Sequence, residues 1–266
     1  MTSGSPPAQP PPPPQGWLRT SRDGAVLTVT LDRPDRLNAQ TPETWGLLAA
    51  IGRDLDPDVR VVVMRGEGRA FSAGLDRILF DTSPDVQGGL GDIGRLPVEE
   101  AQERIRGFQT GFRWLRSPRI VSVAAVQGHA IGAGAQLALA CDLRVLADDA
   151  QLRLPETTLG LVPDLTGTST LVEAVGYSRA LEICLTGRSV GAAEAHAIGL
   201  ATAVVPTAEL DAAVGDLVQA LLAPPVAASR ATAALVRSAV RNDADAQDAA
   251  ERAAQVQRLH DLVGGR

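Results

Sequence analysis

One short motif has the spacing of a catalytic nucleophile. Residues 187–191 read Gly-Arg-Ser-Val-Gly, which matches the Gly-x-Ser-x-Gly turn that presents the serine of many hydrolases, with His196 or His260 then available as the base. That turn needs a strand before the serine and a helix after it. Residues 181–185 instead have the pattern of a helix end. We therefore predict that Ser189 is a turn or helix-capping residue, not a nucleophile.

Two glycine-rich segments could present main-chain N–H groups to an anion. Residues 71–76 read Phe-Ser-Ala-Gly-Leu-Asp and follow an apolar strand at 59–64, while residues 132–137 read Gly-Ala-Gly-Ala-Gln-Leu and open a helix of small residues. The second segment is superficially like a dinucleotide fingerprint, but Leu at its last position argues against one. N–H groups at a helix start have no partner within the helix and favour negative charge. Two separate donors could therefore converge on one oxygen.

Residue types exclude or disfavour several other chemistries. All 25 basic residues are arginine, so no Schiff-base, pyridoxal-phosphate or P-loop lysine exists. Cys141 and Cys184 form no Cys-x-x-Cys pair and the three histidines have no metal-ligand spacing, so we expect no metal site and two buried, reduced thiols. A net charge of -6 and a pI near 5.1 argue against nucleic acid or an anionic membrane as the main partner.

The elements that would position these segments alternate along the chain. They are a hairpin at 17–31 with its turn at 22–24, a helix at 42–55, a strand at 59–64, a helix at 98–115, a strand at 120–126, a helix at 132–141 and a strand at 143–146. Alternation of strands and helices predicts an α/β core and not a helical bundle. From about residue 207, alanine-rich helical stretches at 208–222, 226–240 and 243–262 carry no strand signal and suggest a role in assembly.

The first sixteen residues differ from the rest in composition. They contain the run Gln-Pro-Pro-Pro-Pro-Pro-Gln at 9–15, which predicts a disordered, polyproline-like tail, either a plain solvated extension or a ligand for a proline-reading module. The tail lacks the basic start and apolar core of a secretory signal. No apolar stretch reaches the roughly 18 to 20 residues that cross a bilayer. We therefore expect a soluble, cytoplasmic protein.

Four segments, in order, resemble the crotonase superfamily, which comprises the enoyl-CoA hydratases and isomerases. They are residues 31–39 (Leu-Asp-Arg-Pro-Asp-Arg-Leu-Asn-Ala), 71–76, 128–137 leading into Cys-Asp at 141–142, and 154–164 with its Leu-Pro-Glu and Leu-Gly-Leu-Val-Pro-Asp. Residues 186–200 also resemble the family, which accounts for the nucleophile-like motif. The resemblance implies a crotonase fold of strand-strand-helix units over residues 17–206. It also implies that the helical region 207–266 forms a homotrimer, or a homohexamer of two stacked trimers.

The resemblance further implies how a substrate is held. An acyl-CoA thioester would bind in extended form with its carbonyl oxygen at the backbone N–H groups of Leu75 and Ala133. The family often has Gly at the second position, but a backbone donor survives that change. The implied CoA-contacting residues are Arg36, Leu37, Ala39, Ala73, Asp76 and Arg77. Coenzyme A enters as part of the substrate, and no metal or redox cofactor is implied.

The acid and base residues decide which reaction is expected. Hydratases of this family use two glutamates, and the matching positions here are Gln136 and Glu156. An amide neither accepts nor releases a proton near neutral pH, so Gln136 can only orient another group. Asp164 lies where the family's dienoyl-CoA isomerases carry an aspartate that works with the glutamate. The resemblance therefore favours double-bond isomerisation by Glu156 and Asp164.

Three alternatives stay open at this point. The chain could be a hydratase in which Glu156 handles water that Gln136 orients, or a non-catalytic acyl-CoA binding protein. Structurally, Glu156 could cap a turn, and Asp164 could cap a helix that begins near residue 165 or 166. Residues 165–168 are poorer in glycine than the family and could reshape the acyl pocket.

Overall fold

Two β-sheets and the helices around them form the part of the chain that the structure describes, residues 17–264 of a computed structural model; the tail predicted at residues 1–16 lies outside it. The strands are β1 (Leu18–Asp23), β2 (Val26–Leu31), β3 (Val61–Gly66), β4 (Val121–Val126), β5 (His129–Ile131), β6 (Leu143–Ala147), β7 (Gln151–Arg153), β8 (Ser189–Gly191) and β9 (Ala203–Val205). The helices are α1 (Pro42–Arg53), α2 (Leu90–Arg95), α3 (Val98–Arg113), α4 (Ala133–Ala140), α5 (Gly167–Val175), α6 (Tyr177–Thr186), α7 (Ala192–Ala197), α8 (Leu210–Leu222), α9 (Val226–Ala239) and α10 (Ala244–Gly264).

The larger sheet has six strands in the order β1-β2-β3-β4-β6-β9. The β1–β2 hairpin is antiparallel, and every other pairing in this sheet is parallel. In β3 the run Val61–Met64 is buried at each position, because helices cover both faces of a parallel sheet and leave no polar side to alternate with. The predicted α/β architecture is therefore confirmed.

The smaller sheet was not predicted. It joins β5, β7 and β8, each three residues long, with β5 and β7 parallel and β7 and β8 antiparallel. Strands this short show no periodicity in a sequence, so the alternation that revealed β2 gives no signal here. This sheet matters for the site, because β5 leads directly into α4.

Two local predictions are corrected by the backbone. The hairpin turn lies at Gly24 and Ala25, since Arg22 and Asp23 still pair with β2; Gly24 takes the positive φ of +53° that such a tight turn needs. Ser189 lies in β8, and α7 begins after Gly191, so the serine is neither a turn nor a helix-capping residue.

The start of α1 follows the prediction closely. Thr41 is its N-cap and accepts a hydrogen bond from the Thr44 backbone N–H, and Pro42 occupies the first turn, where its missing N–H costs nothing. The helix packs on α3 through aromatic contacts, with the Trp45 ring centroid 4.9 Å from Phe108 and 6.1 Å from Phe112. These contacts fix the loop between β2 and α1 against the core.

The C-terminal helices differ in how they pack. Leu210, Val214 and Val218 of α8 are buried against the valines of β3, β4 and β6, whereas α9 and α10 contribute no buried residue. Arg237 ties α9 to the core through Asp142, at 2.8 Å. Within residues 17–264 no single helix has the length and apolarity of a membrane span; only Thr207–Leu222 with Val226–Ala239, bent by 104°, passes when taken as a pair.

Candidate active site

The backbone N–H of Leu75 is left free by the hydrogen bonds around it. Gln40 N–H donates to the Gly74 carbonyl (2.7 Å), and Asp76 N–H donates to the Gln40 carbonyl (2.8 Å). This isolated parallel bridge uses the groups on either side of Leu75 and turns its own N–H away. Among the described residues, the Leu75 N–H has no acceptor. It is therefore a fixed donor with nothing to donate to.

A second bridge ties the same loop to β5. Ser72 N–H donates to the His129 carbonyl (2.8 Å), and Ile131 N–H donates to the Ser72 carbonyl (3.0 Å). Gly74 has φ of +89°, and a Cβ there would lie 2.4 Å from the Ile131 carbonyl oxygen and 3.4 Å from the backbone nitrogen of Ala133. Only glycine fits this approach. The loop that carries Leu75 is thus pressed against the start of α4.

Ala133 supplies the second free donor. It is the first residue of α4, and Gly132 before it takes φ of +53° while donating its N–H to the Arg153 carbonyl (2.9 Å). The first N–H groups of a helix lack intrahelical partners, and within residues 17–264 the Ala133 N–H has none. The structure thus brings the two predicted donor segments together at the positive end of the α4 dipole.

Glu156 lies beside these donors with its carboxylate buried. It begins the 3₁₀ turn Glu156–Leu159, is 8% exposed, and its Oε1 would lie 3.6 Å from a Cβ at Gly132. Oε1 accepts a hydrogen bond from Gln136 Nε2 at 2.8 Å, while Oε2 is buried and has no hydrogen-bond partner among residues 17–264. One oxygen is therefore held in place and the other is left to act on something else.

The environment of Glu156 makes its carboxyl a weaker acid than an ordinary glutamate. Burial is the main cause that raises the pKa of this carboxyl above its usual value, and the negative charge of Asp164 adds to the rise. The hydrogen bond from Gln136 acts in the opposite direction. A carboxyl tuned in this way can both take and return a proton closer to neutral pH than an ordinary glutamate.

The side chain of Gln136 connects two segments by hydrogen bonds. Its Oε1 accepts from the backbone N–H groups of Leu165 (2.8 Å) and Gly167 (3.3 Å), and its Nε2 donates to Glu156. Those two N–H donors fix which end of the amide faces Glu156. A Cβ on Gly167 would lie 2.7 Å from Gln136 Cγ, so glycine is needed for this contact. In this geometry the Gln136 amide holds the Glu156 carboxylate in position, which is the orienting role expected from the sequence.

Asp164 stands just before the segment that Gln136 holds. Burial raises the pKa of its carboxyl, and its backbone carbonyl accepts from Gln109 Nε2 at 2.7 Å. The capping interpretation is wrong for this residue, because α5 begins at Gly167 with Thr166 as its N-cap and no side-chain capping bond. Glu156 likewise is the first residue of its turn, after Pro155, and does not cap it.

The segment predicted to contact CoA lies next to the first donor. Ala73 N–H donates to the Leu37 carbonyl at 2.8 Å, which places residues 36–39 alongside residues 73–76. Ala39 N–H donates to the Arg36 carbonyl (3.1 Å), closing the turn that holds this segment. Leu37 has φ of +50°, so the chain turns sharply there. The predicted contact segments therefore form one continuous strip.

The charged members of that strip differ in their availability. Arg36 and Arg77 are exposed, and within residues 17–264 neither guanidinium has a partner. Asp76 is engaged: its Oδ2 pairs with Arg33 at 2.6 Å, and its Oδ1 accepts from the Ile78 N–H. The two arginines are thus available to bind a ligand, whereas the carboxylate of Asp76 is already used in contacts within the protein.

A buried polar network supports the first donor and was not predicted. Asn38 has φ of +54°, accepts from Arg33 N–H (2.9 Å) and donates to the carbonyls of Glu67 (2.9 Å) and Ala70 (2.8 Å). Ser72 Oγ donates to the Asn38 carbonyl at 2.8 Å and accepts from Gln40 Nε2 at 2.9 Å. The available signal was a run of uncharged polar residues between two apolar elements.

The two cysteines, both expected to be buried, have different surroundings. Cys141 is fully buried, and burial raises the pKa of its thiol to about 12. Cys184, on α6, is only partly buried, and burial together with the charge of Glu156 raises its pKa. The expectation holds for Cys141 and is wrong for Cys184, which lies near the acid.

Comparison with known proteins defines the class to which this fold and site belong. Residues 21–263 match the family described as enoyl-CoA hydratase/isomerase. A Thermobifida fusca YX protein, named an enoyl-CoA hydratase and solved in complex with CoA, has a TM-score of 0.87 and 51% identity, covering 94% of this chain and 95% of that one. Its complex with acetoacetyl-CoA gives a TM-score of 0.88 at 50% identity, covering 92% and 96%.

Two sequence relatives carry different activity names. A peroxisomal Delta(3,5)-Delta(2,4)-dienoyl-CoA isomerase from Arabidopsis thaliana is 30% identical over 225 residues, which cover 83% of this chain and 81% of the relative. A protein named an enoyl-CoA hydratase from Mycobacterium bovis is 32% identical over 195 residues, covering 73% and 70%. This chain belongs to the enoyl-CoA hydratase/isomerase family, as the resemblance predicted. It is an acyl-CoA enzyme with the crotonase fold.

Proposed function

We propose that the protein moves a double bond in an enoyl- or dienoyl-CoA by proton transfer without adding water. The observation that supports this most directly is the pair of acids: Glu156 with a free, buried Oε2, and Asp164 close enough for its charge to affect Glu156. The carboxylate that hydratases use at the other position is replaced here by Gln136, whose amide oxygen already accepts two backbone N–H groups. Glu156 and Asp164 therefore remain as the two acids that can transfer protons, and burial raises the pKa of both.

Binding places the thioester carbonyl oxygen between the N–H groups of Leu75 and Ala133. CoA lies along residues 36–39 and 73–77, with Arg36 and Arg77 near its phosphates. Removing a proton from the carbon beside a thioester carries the electron pair onto this oxygen as an enolate. Preorganised donors aimed at such an oxyanion are each worth roughly 3 to 4 kcal/mol, which makes them the largest single contribution to catalysis.

The protons then pass through the two acids. Glu156 Oε2 takes a proton from one carbon, and the enolate forms. Protonated Asp164 gives its proton to a carbon further along the chain, and the electron pair returns from oxygen to re-form the thioester carbonyl and the shifted double bond. One proton leaves and one arrives, so no water is consumed. The raised pKa of Asp164 supports its protonated form before reaction, since two nearby carboxyls in a buried site share a proton readily.

Heavy-water mass spectrometry tests this reaction. The wild-type protein, incubated in D₂O with 3-enoyl- and 3,5-dienoyl-CoA esters, is expected to return the conjugated product carrying deuterium and no added water. Glu156→Gln is expected to abolish the exchange, whereas Glu99→Gln, an exposed residue on α3, serves as the matched control. A product heavier by one D₂O would overturn the proposal in favour of hydration.

Hydration is the second candidate because of the names carried by the relatives. The Thermobifida fusca and Mycobacterium bovis proteins are both named enoyl-CoA hydratases. In this chain Glu156 alone would then activate water, with the second Nε2 hydrogen of Gln136 to orient it. Loss of the conjugated thioester absorbance on adding crotonyl-CoA would select this candidate.

We propose that the protein works as a homotrimer. Helices α9 and α10 bury no residue within the described chain and leave a set of apolar side chains exposed. These are Val226, Val236, Val256, Leu259, Leu262 and Val263, and Val240 directly after α9 adds to them. Light scattering coupled to size exclusion tests the assembly, and a purely monomeric protein at micromolar concentration would refute it.

A further inference from the structure

A cavity of about 610 Å³ lies between α3 and α5, next to the acid loop. Phe112, Ala140 and Asp164 form part of its wall, and Asp164 is close enough to Glu156 for its charge to affect that carboxyl. Ala140 is four residues after Gln136 on α4, which is one helical turn, or about 6 Å. The cavity therefore begins about one turn beyond the residue that holds the catalytic carboxylate.

The lining of this cavity carries three arginines and two carboxylates, those of Asp164 and Glu173. Arg113, Arg116 and Arg241 all contribute to it. Arg116 pairs with Glu173 at 2.6 Å, but Arg113 contacts only the amide oxygen of Gln109, at 3.2 Å. Within residues 17–264 the Arg241 side chain has no partner. Of the arginines that line the cavity, Arg113 and Arg241 thus form no ion pair with a carboxylate of the described residues.

One side chain connects these cations to the acid loop. Gln109 accepts from Arg113 through Oε1 and donates to the Asp164 carbonyl through Nε2, at 2.7 Å. The Gln109 amide therefore links Arg113 to Asp164 and fixes their relative positions. Hydroxyl groups of Thr168 and Ser169, at the start of α5, add hydrogen-bonding capacity to the same wall.

We propose that this cavity receives the far end of the acyl chain and that Arg113 and Arg241 bind a carboxylate there, so that the preferred substrates are CoA monothioesters of dicarboxylic acids. This inference rests on the proposed function for the position of the thioester. A guanidinium presents two parallel N–H donors that match a carboxylate, and charge-assisted pairs of this kind are about twice as strong as neutral hydrogen bonds. A methyl end would offer these two exposed guanidinium groups no hydrogen-bond acceptor.

Binding of saturated thioesters tests the inference without requiring any reaction. Suberyl-CoA and octanoyl-CoA have the same chain length and differ in the terminal carboxylate, so calorimetry with the full-length protein measures that group alone. We expect suberyl-CoA to bind about tenfold more tightly, the effect of one net charge-assisted hydrogen bond. Arg113→Gln and Arg241→Gln are each expected to reduce this ratio toward one. Arg106→Gln, an exposed residue on the same helix that pairs with Glu103, should leave the ratio unchanged.

Each outcome bears on a separate claim. Equal affinities in the wild-type protein, or a ratio unaffected by both cavity variants, would overturn the inference even if isomerisation is observed. A preference for suberyl-CoA that both variants remove would support it even if no thioester is turned over, in which case only the proposed reaction fails. Free suberate binding as tightly as suberyl-CoA would also overturn it, because the site would then serve a separate anion.

Discussion

The proposed oxyanion donors and the proposed acids are built in opposite ways, although they lie side by side. Leu75 and Ala133 offer main-chain N–H groups, and bridges on both sides of the Leu75 loop hold that loop in place. Glu156 and Asp164 offer side chains whose charge is disfavoured by burial. The backbone groups around the donors are hydrogen-bonded, whereas Glu156 Oε2 in the acid region is buried and finds no hydrogen-bond partner in the described part of the chain.

This difference predicts how each region tolerates change. A backbone donor depends on the path of the chain, so side-chain replacement at Ala133 should matter little unless it removes the N–H. A side-chain acid depends on residue identity, so even an isosteric replacement should abolish its chemistry. The acid region also lowers the stability of the fold as the pH rises, because burial disfavours the ionised forms of both carboxyls.

Replacing the central acid is expected to have the largest effect. Glu156→Gln keeps the shape and the hydrogen bond from Gln136 but removes the proton acceptor, so kcat should fall about 10³-fold. Steady-state kinetics with a 3-enoyl-CoA measures this loss, and calorimetry with CoA should show unchanged binding. A variant that retained more than a tenth of the wild-type rate would contradict the role given to Glu156.

Removing one backbone donor should cost somewhat less. Ala133→Pro replaces the N–H at the first position of α4 by a ring Cδ, which the helix accommodates there but which cannot donate to the thioester oxygen, and should lower kcat at least about 10²-fold. Ala133→Ser keeps the N–H and is the matched control, with activity expected near the wild-type value. Equal losses in the two variants would show that the side chain matters and not the donor.

A third change places a second carboxylate beside the first. In Gln136→Glu the Nε2 donor that holds Glu156 is replaced by an acidic oxygen, so two carboxylates share a proton and the pKa of the pair rises. The acid limb of the kcat/KM profile should move to higher pH, isomerisation at neutral pH should fall about tenfold, and hydration of crotonyl-CoA should increase. Gln136→Met removes the hydrogen bond that lowers the pKa of Glu156 but adds no charge, so it should shift the limb in the same direction by a smaller amount. An unshifted limb in Gln136→Glu would argue against contact between the two side chains in solution.

The smallest expected effect concerns stability. Because the folded-state pKa of Glu156 is raised, folding binds a proton more tightly there; the associated stability is present at low pH and is lost as pH rises through the raised pKa. Glu156→Gln should therefore gain stability over wild type as pH increases, with Tm higher by a few degrees at pH 8, at about 2 to 4 °C per kcal/mol. Calorimetric scans at several pH values measure this. A Tm difference that does not change with pH would exclude ionisation of Glu156 as the cause.

The sequence predicted the two backbone donors better than it predicted the residues that hold them in place. Residues 71–76 and 132–137 indicated free backbone N–H groups, because glycine and other small residues at the junction of a strand and a helix are typical of exposed backbone donors. The Asn38 and Ser72 network and the strands of the small sheet were not predicted, because a three-residue strand has no period and a run of uncharged polar residues does not reveal which groups its members bond. The assignment of Ser189 to a turn was wrong for the same reason, since β8 is one of those strands.

Residue types alone excluded lysine chemistry, and the order of the four motifs specified the crotonase fold, because each motif serves a fixed point of that backbone. Chain order could not reveal that Gln136 would join the Leu165 and Gly167 N–H groups to Glu156. Nor could it place Arg113 beside the Asp164 loop, which lies 55 positions from Gln109 along the chain. Those contacts arise from the packing of α3, α4 and the loop before α5. Distances between elements remote in sequence are set by that packing, and so are the burial and charge that tune an acid.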